Sequence, residues 1–314
     1  MTSNHFRQDV INGLSKSIKQ LHSKYFYDKE GDSLFQQIMA LPEYYLTRCE
    51  LDIFKNRTNE LATAIIADGS PFDLIELGAG DATKSMYLLK YLNDENIDFK
   101  YVPIDISGNI LSVLEEKISS DVPGLDVYSL EGDYFEMLGK ASAFSSRRRV
   151  VMFLGGNIGN MELEEARNFC KTLRESLRAG DIALIGFDLK KNPHIILEAY
   201  NDASGITAAF NLNLLHRINQ ELHANFEVSR FEHYQNYDPM TGACRSYLVS
   251  DSEQEVTIDE HKFCFSKDEC IYMEVSQKFA MDDIQELALF SGFETLNEIT
   301  DSKGWFSDAI WIAK

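Results

Sequence analysis

The sequence predicts an α/β protein with a doubly wound parallel sheet, and three observations support this prediction. Short apolar runs alternate with helical patterns from about residue 50 to residue 190. The first of these runs ends in a glycine turn and leads into a helix. The alternation breaks over residues 191–278 and then resumes. Parallel strands need helical crossovers, so such alternation is typical of a parallel sheet, here with an insertion.

The elements follow from periodicity in chain order. Apolar runs of four to eight residues predict buried strands, and apolar residues three and four apart predict helices. The predicted strands cover residues 72–77, 99–106, 125–130, 150–154, 182–187, 293–299 and 309–313. The predicted helices cover residues 6–22, 34–39, 51–65, 86–92, 110–118, 163–177, 193–223 and 282–290, and residues 225–278 predict short strands.

The interrupted alternation predicts two domains. A chain of 314 residues is long enough to bury a sizeable core or two smaller ones. We expect one domain to comprise residues 55–190 and 279–314, which carry the alternation. We expect an α+β lobe, built from residues 1–54 and the insertion 191–278, to form the second.

The first strand ends in a turn that suits a nucleotide-like ligand. Gly78 and Gly80 allow close approach of the backbone, and the next helix offers free N–H groups with a positive dipole end. A dinucleotide fingerprint requires a third glycine where Thr83 stands. Glu76 with the two glycines instead resembles the first motif of S-adenosylmethionine (SAM)-dependent methyltransferases. A plain strand-to-helix turn is the alternative.

Acidic residues follow the next two strands at positions that suit a nucleoside. Ligands of open α/β sheets lie at the carboxyl ends of the strands. Asp105 ends the second strand, where it can accept hydrogen bonds from two ribose hydroxyls. Asp133 follows the third strand, where it can bind an adenine amino group beside the aromatic ring of Tyr134. The alternative for either acid is a helix N-cap.

The fourth strand runs into a loop of glycine and asparagine, residues 153–160. Its exposed amides and carboxamides, which include Gly155 and Asn160, would lie beside a methyl donor bound at the glycine turn. Ordinary turn chemistry is the alternative, because Asn and Gly favour turns.

A strand over residues 271–279 alternates apolar and polar side chains. If Ile271, Met273 and Val275 pack on the core, Glu274 and Ser276 project together to the opposite side. A carboxylate and a hydroxyl so placed can bind a planar N–H group such as an imidazole. The alternative is a half-exposed strand with a polar outer face.

The composition of the chain limits the classes of partner that the protein can bind. The formal net charge of −20 argues against nucleic acid, whose affinity for proteins rests on Lys and Arg. Five scattered cysteines without C-x-x-C spacing indicate reduced thiols, and the N-terminus lacks a signal peptide. No apolar run is long enough to span a bilayer. We therefore expect a cytoplasmic monomer that binds a small molecule, without a metal site.

Several segments closely resemble the L-histidine Nα-methyltransferases of ergothioneine biosynthesis, and the resemblance covers nearly the whole chain. The matching segments are Tyr-Phe-Tyr-Asp at 25–28, Leu-Pro-Glu-Tyr-Tyr at 41–45 with Thr47 and Arg48, Ile-Glu-Leu-Gly-Ala-Gly at 75–80 with Thr83 and Lys84, Val-Pro-Ile-Asp at 102–105, and residues 153–160, 199–205, 207–211, 274–276 and 278–279. The resemblance implies a Rossmann-like class I SAM-dependent methyltransferase with a substrate-binding lobe. It also implies three methyl transfers from SAM to the α-amine of histidine.

The resemblance assigns residues to each ligand. The cofactor would be held by Gly78, Gly80, Lys84, Asp105, Asp133 and Tyr134. The amino acid would be surrounded by Tyr27, Tyr44, Gly155, Asn160, Tyr200, Glu274 and Ser276. Asn160 and Tyr200 would take the carboxylate, and Glu274 and Ser276 the imidazole. Tyr27 would help to remove the proton of the amine. Tyr27 and Asn160 are the expected catalytic residues.

Three positions depart from the family pattern. Gly156 and Asn157 replace a Ser-Thr pair, and Ser246 replaces a Met that packs near the imidazole. The family also includes fungal relatives that methylate tryptophan-derived amines. An N-methyltransferase of another aromatic amine is therefore one alternative, and a protein that binds SAM or an amino acid without turnover is another.

Overall fold

The computed structural model describes residues 3–314, which divide into two compact units. Of these residues, the first unit comprises 3–45 and 191–276, and the second comprises 46–190 and 277–314. The sequence predicts the first boundary at residue 55, whereas the structure has it at Leu46. The reason is that a helix begins at Leu46 and buries Ile53 and Phe54 within the second unit.

Twelve strands and eleven α-helices are described. The strands are β1 (Phe72–Leu77), β2 (Phe99–Asp105), β3 (Leu130–Glu131), β4 (Arg148–Phe153), β5 (Ile182–Asp188), β6 (Phe231–Tyr237), β7 (Ala243–Ser250), β8 (Gln254–Ile258), β9 (His261–Phe265), β10 (Cys270–Gln277), β11 (Phe293–Thr300) and β12 (Phe306–Ala313). The helices are α1 (Ser3–Leu14), α2 (Lys29–Ala40), α3 (Leu46–Asn56), α4 (Thr58–Ile66), α5 (Ser85–Asp94), α6 (Gly108–Asp121), α7 (Tyr134–Phe144), α8 (Leu163–Glu175), α9 (Pro193–Tyr200), α10 (Ile206–Leu222) and α11 (Met281–Ser291).

The second unit is built on a seven-stranded sheet in the order β11-β12-β5-β4-β1-β2-β3. Strands β1 to β5 pair in parallel, while β12 and β11 are antiparallel to their neighbours. The predicted α/β fold is confirmed. Because β2 lies on one side of β1 and β4 on the other, the crossovers change direction at β1. Ligands of such sheets bind in the crevice at the carboxyl ends of the strands beside this point.

Burial on both faces explains why the central strands are apolar. Every residue of β1 and of β5 is buried, as expected for parallel strands covered by helices on both sides. Phe187 and Trp311 pack at the centre of one of the apolar layers, with ring centroids 5.6 Å apart.

The first unit contains a three-stranded sheet in the order β10-β7-β6 and the separate hairpin β8-β9. Its core joins side chains of α1, α2 and α10 to these strands. The ring of Phe26 is fully buried and meets that of Phe210 edge-on at 5.0 Å. Among residues 3–314, no helix combines the length and apolarity required to cross a bilayer.

The first helix is shorter than predicted, and Gly13 is the reason. The predicted helix covers residues 6–22, but α1 ends at Leu14. The chain then folds back so that Gln20 donates its N–H to the carbonyl of Gly13 at 3.2 Å. A Cβ at Gly13 would stand 2.2 Å from the carbonyl oxygen of Gln20, so only glycine permits this approach. Leu21 then donates its N–H to the carbonyl of Tyr272 at 2.9 Å.

Other boundaries differ where side chains cap or interrupt a helix. The predicted helix 51–65 is split into α3 and α4 at Arg57. The predicted helix 193–223 is split because Asp202 accepts the N–H groups of Ile206 and Thr207 and so starts α10. The predicted strand 125–130 is reduced to β3, with an isolated bridge from Val127 to β2. Helix α7 has no counterpart in the prediction.

Candidate active site

The glycine turn after β1 has the conformation that the sequence predicts. Gly78 and Gly80 both have positive φ, 71° and 53°. The N–H of Gly78 donates to the carbonyl of Ile104 at 2.8 Å, so the turn is tied to the end of β2. A Cβ at Gly78 would stand 2.8 Å from the hydroxyl of Tyr134. Glycine is therefore required here by both conformation and space.

Asp105 joins the turn to the next helix. This buried carboxylate accepts the N–H of Gly80 at 3.2 Å on Oδ2 and the N–H of Ser107 at 3.0 Å on Oδ1. The N-cap of α6 is Ser107, not Asp105, so the capping alternative for this acid is wrong. Its neighbour Ile106 leaves 66% of its surface exposed, which sequence reasoning did not single out. The acid can accept hydrogen bonds from the hydroxyls of a sugar, and the exposed apolar side chain beside it can pack against a base.

Asp133 is the N-cap of α7. Its Oδ1 accepts the N–H groups of Phe135 at 3.0 Å and Glu136 at 3.3 Å, so the capping alternative describes this contact. Tyr134 follows with its ring half-buried, 5.9 Å from that of Phe153. Burial, followed by the charges of Asp105 and Asp133, raises the pKa of Tyr134. Gly78, Asp105 and Tyr134 are thus brought together, as predicted for the cofactor.

Lys84 is held by a buried acid that the sequence did not reveal. Its ammonium pairs with Glu50 of α3, which is 1% exposed. Burial alone would lower the pKa of Lys84, but the adjacent Glu50 outweighs it and the net shift is upward. The same Glu50 carboxylate accepts the N–H of Gly155 on both oxygens, at 2.7 and 2.9 Å. One carboxylate therefore connects the cofactor-side lysine with the loop after β4.

That loop combines left-handed glycines with a single turn of 3₁₀-helix. Gly155 and Gly156 have φ of 81° and 68°, and the 3₁₀ turn covers Asn157–Asn160. A Cβ at Gly159 would stand 2.7 Å from the carbonyl oxygen of Gln277, so the turn packs closely on the last residue of β10. Asn160 is exposed at the end of the turn. These features agree with turn chemistry and leave the carboxamide of Asn160 accessible.

In the first unit, predicted substrate residues contact one another. The hydroxyls of Tyr200 and Ser276 are hydrogen-bonded at 2.7 Å in a buried position. The ring of Tyr44 meets that of Tyr200 edge-on at 6.1 Å. Phe35 lies between Tyr44 and Tyr27, with ring centroids 6.3 and 5.5 Å away. Tyr27 is 46% exposed at the end of this aromatic row.

Strand β10 follows the predicted alternation only in part. Ile271, Met273 and Val275 are buried, as predicted, and Glu274 is half-buried. From Val275 onward both faces are buried, so the half-exposed alternative is wrong for the end of the strand. Ser276 reaches Tyr200, and the fully buried Lys278 pairs with Asp188 at 2.7 Å.

Ser246 belongs to an internal polar network. Its hydroxyl donates to Oε1 of Gln235 at 2.5 Å and lies 3.4 Å from Nε2 of His233. Because the hydroxyl hydrogen goes to Gln235, this arrangement assigns the ring hydrogen to Nε2 of His233. Burial lowers the pKa of His233 to about 4, although Asp202 acts in the opposite direction. The imidazole is therefore neutral at pH 7.

The expected residues fall into two sets. The second unit holds the expected cofactor residues with Gly155 and Asn160, and the first unit holds Tyr27, Tyr44, Tyr200, Glu274 and Ser276. Glu50 and Asp308 were not singled out by sequence reasoning. A usable signal existed for Asp308, since it is a charged residue within the apolar run of β12.

Comparisons with known proteins agree with this geometry. A family model described as "Histidine-specific methyltransferase, SAM-dependent" matches residues 6–313. The histidine N-alpha-methyltransferase of Mycolicibacterium smegmatis is 35% identical over 96% of this chain and 92% of its own.

Two fungal relatives are also similar. Ergothioneine biosynthesis protein 1 of Schizosaccharomyces pombe is 28% identical over 91% of this chain and 38% of its own. A 4-dimethylallyltryptophan N-methyltransferase of Claviceps fusiformis is 30% identical over 61% of this chain and 56% of its own. With the family model matching nearly the whole length, the chain belongs to the histidine-specific, SAM-dependent methyltransferases.

Proposed function

We propose that this enzyme methylates the α-amine of L-histidine, up to the trimethylated betaine hercynine. The observation that carries the proposal is the family match over residues 6–313, which includes the insertion expected to bind the substrate. The hydrogen-bonded pair of Tyr200 and Ser276 supports it from the structure, because it presents two hydroxyls among aromatic rings. We expect the enzyme to act as a monomer in the cytoplasm.

The residues of the glycine turn fit SAM. A Cβ at Gly80 would meet no described atom within 4 Å, so the backbone at this glycine is open to a ligand. Asp105 would bind the ribose, Asp133 and Tyr134 the adenine, and Gly80 and Lys84 the methionine end. The cofactor supplies a methyl group on a positively charged sulfur, which is already a good leaving group. The protein must then supply orientation and a dry site.

The substrate residues would hold histidine at both ends. Asn160 and Tyr200 are proposed for the carboxylate, and Glu274 and Ser276 for the imidazole. Tyr44 and Gly155 are proposed as further substrate-binding residues. Because the hydroxyls of Tyr200 and Ser276 are 2.7 Å apart, they cannot reach opposite ends of one histidine as they stand. We expect substrate binding to break this bond and turn one hydroxyl toward each end.

Tyr27 is proposed to help remove the proton of the amine. A methyl transfer needs a neutral nitrogen lone pair, and the amine of histidine is mostly protonated at pH 7. Tyr27 is partly exposed and fixed by edge-on contacts with Phe35 and Phe210, at 5.5 and 5.7 Å. Its hydroxyl would accept a hydrogen bond from the ammonium and, directly or through a water, help to pass the proton to the solvent. Each product is bulkier at nitrogen, so the grip must come from the carboxylate and the imidazole.

Mass spectrometry of a competition reaction tests the substrate. The purified enzyme is mixed with SAM and the twenty amino acids, and we expect histidine alone to gain up to three methyl groups. Methylation of tryptophan or another aromatic amine instead would favour the alternative, an N-methyltransferase of another aromatic amine. Ser246, which replaces the Met of the family pattern, is the position that bears on this choice. Absence of any methylation would refute the proposal.

The variant Ser276→Ala tests the substrate residues. We expect KM for histidine to rise about tenfold, because one hydrogen bond is worth roughly 1 kcal/mol or somewhat more. Affinity for SAM should not change. Ser119→Ala, at an exposed position of α6, is the matched control. An equal loss of SAM affinity in Ser276→Ala would contradict the assignment to substrate.

A further inference from the structure

Four ionisable side chains interact with one another near the glycine turn. Glu50, Glu76 and Asp308 are each at most 4% exposed, and the ammonium of Lys84 acts on all three. Lys84 pairs with Glu50, and Glu76 accepts a hydrogen bond from the hydroxyl of Tyr101. We call these four residues the acid cluster.

Asp308 is the least well paired of the four side chains. It is fully buried on β12, and neither of its carboxyl oxygens has a hydrogen-bond partner within residues 3–314. It lies opposite Gly186 of β5 in the register. A Cβ at Gly186 would stand 2.4 Å from Oε1 of Glu50, so the space above that glycine is taken by the neighbouring carboxylate. A buried polar group without a partner is costly, and such sites are found where function requires them.

The charges of the acid cluster do not balance. Three carboxyl groups face one ammonium, and buried like charges cannot all be ionised. Burial, reinforced by the nearby Glu50, raises the pKa of Asp308 well above its usual range. Burial likewise raises the pKa of Glu76 to about 7, against the opposing bond from Tyr101. The raised pKa favours a proton on Asp308, and with three carboxyl groups against one ammonium the cluster is short of positive charge.

The position of the acid cluster relates this shortage to the cofactor. Glu76 stands two residues before Gly78, and Lys84 follows the turn directly. Glu50 binds the N–H of Gly155 at the carboxyl end of β4. The cluster thus lies along the edge of the sheet where ligands of this fold bind. SAM carries a net positive charge because of its sulfonium, whereas its product S-adenosylhomocysteine lacks that charge.

We propose that Asp308 is a proton-exchanging residue: it holds a proton while no cation is bound nearby and releases it when the sulfonium cofactor binds. The released proton passes to the solvent, and the carboxylate that remains completes the charge balance with the cation. After transfer, the neutral product no longer stabilises that carboxylate, and Asp308 takes up a proton again. The acid cluster would thereby favour SAM over its product.

A merely structural role does not require an acid at this position. A neutral asparagine has the same size as the aspartate. An apolar residue would also suit this position, because all but one of the residues of β12 are buried. By linkage, an acid with a raised pKa lowers stability at every pH above its ordinary value. Asp308→Asn should therefore be at least as stable as the natural protein at pH 7 and increasingly more stable as the pH rises.

Calorimetry of cofactor binding tests the proposal. SAM and S-adenosylhomocysteine are titrated into the protein at pH 7 in two buffers with different enthalpies of ionisation. We expect SAM binding to release between about 0.3 and 1 proton more than binding of the product. In Asp308→Asn this difference should shrink markedly, and in Asp94→Asn, an exposed control on α5, it should stay the same.

The natural protein alone can overturn the proposal. If SAM and the product release equal numbers of protons, or if Asp308→Asn leaves the difference intact, Asp308 does not exchange a proton with the cofactor. As a second measurement, the ratio of the two affinities should rise between pH 6 and 7 in the natural protein and be flatter in the variant. The proposal rests on SAM binding and not on histidine, so its failure would leave the proposed substrate untouched.

Discussion

At the scale of single residues, Asp105 shows how one carboxylate can organise a binding site. Its two oxygens accept backbone N–H groups from the glycine turn and from the start of α6, at 3.2 and 3.0 Å. Each oxygen has a second lone pair, which can accept a hydroxyl of a bound sugar. The residue thus fixes the shape of the turn and is also available to the ligand.

We expect Asp105→Asn to weaken SAM binding by about 10- to 100-fold, since hydrogen bonds to a charged group are worth roughly 1.5–3 kcal/mol. Asparagine keeps the size but can accept on only one atom, so one backbone N–H meets an NH₂ group. Isothermal titration with SAM measures the effect, and Asp94→Asn is again the exposed control. An affinity within twofold of the natural protein would exclude Asp105 from the cofactor site.

At the scale of elements, the start of α2 fixes the segment that carries Tyr27. Asp28 is the N-cap and accepts the N–H of Gly31 at 2.7 Å. The same carboxylate accepts from Asn213 of α10 at 2.8 Å. A Cβ at Gly31 would stand 1.8 Å from the carbonyl oxygen of Phe26, so the chain before the helix passes directly over this glycine.

Gly31→Ala should therefore displace the segment with Tyr27. We expect a loss of about 2 kcal/mol or more in the free energy of unfolding, because backbone atoms would overlap and Phe26 would leave its place in the core. Turnover should fall with it. Denaturant unfolding and initial rates provide the readouts.

Gly139→Ala is the matched control, since a Cβ at this position of α7 meets no atom within 4 Å. Alanine should there be neutral or stabilising by about 0.5–1 kcal/mol. If both variants behaved alike, the close approach at Gly31 would not be what fixes the segment.

At the scale of the whole molecule, two separate cores share one acidic chain. Each compact unit has its own apolar cluster, and the formal net charge is −20. Both units also bury ionisable groups: the acid cluster in one and His233 in the other. Such groups make the stability of the whole protein depend on pH.

His233 should make the protein less stable as the pH falls from 6.5 to about 4. Burial lowers the pKa of its imidazole from 6.5 to about 4, so the unfolded chain binds a proton before the folded protein does. The free energy of unfolding therefore declines through this window, by up to about 3 kcal/mol from this group, and is unaffected by it above pH 7.

Denaturant unfolding at pH 7 and pH 4.5 checks this expectation. His233→Gln keeps a donor toward Ser246 and cannot titrate, so its loss of stability between the two pH values should be smaller. His216→Gln replaces an exposed histidine on α10 and should lose as much as the natural protein. Equal losses in all three proteins would show that His233 does not contribute.

Apolar periodicity and the placement of glycines were enough to predict the α/β fold, the interrupted sheet and the glycine turn. These depend on local information: apolar runs, helical spacing, and glycines at Gly78 and Gly80, where positive φ is needed. The family resemblance rested on short segments, some at these strand ends and others in the N-terminal segment and the insertion. Boundaries were less predictable, because the end of α1 depends on Gln20 folding back over Gly13.

Which side chains meet depends on how the chain folds in three dimensions. Glu50 is separated by 34 residues from Lys84 and by 105 from Gly155, and Tyr200 by 76 from Ser276, so no local pattern could pair them. The same holds for Asp308, whose isolation depends on what packs around it and not on its neighbours in the sequence. Charge and hydrogen bonding act through space, and this is why the acid cluster and the Tyr200–Ser276 pair appear only in the folded chain.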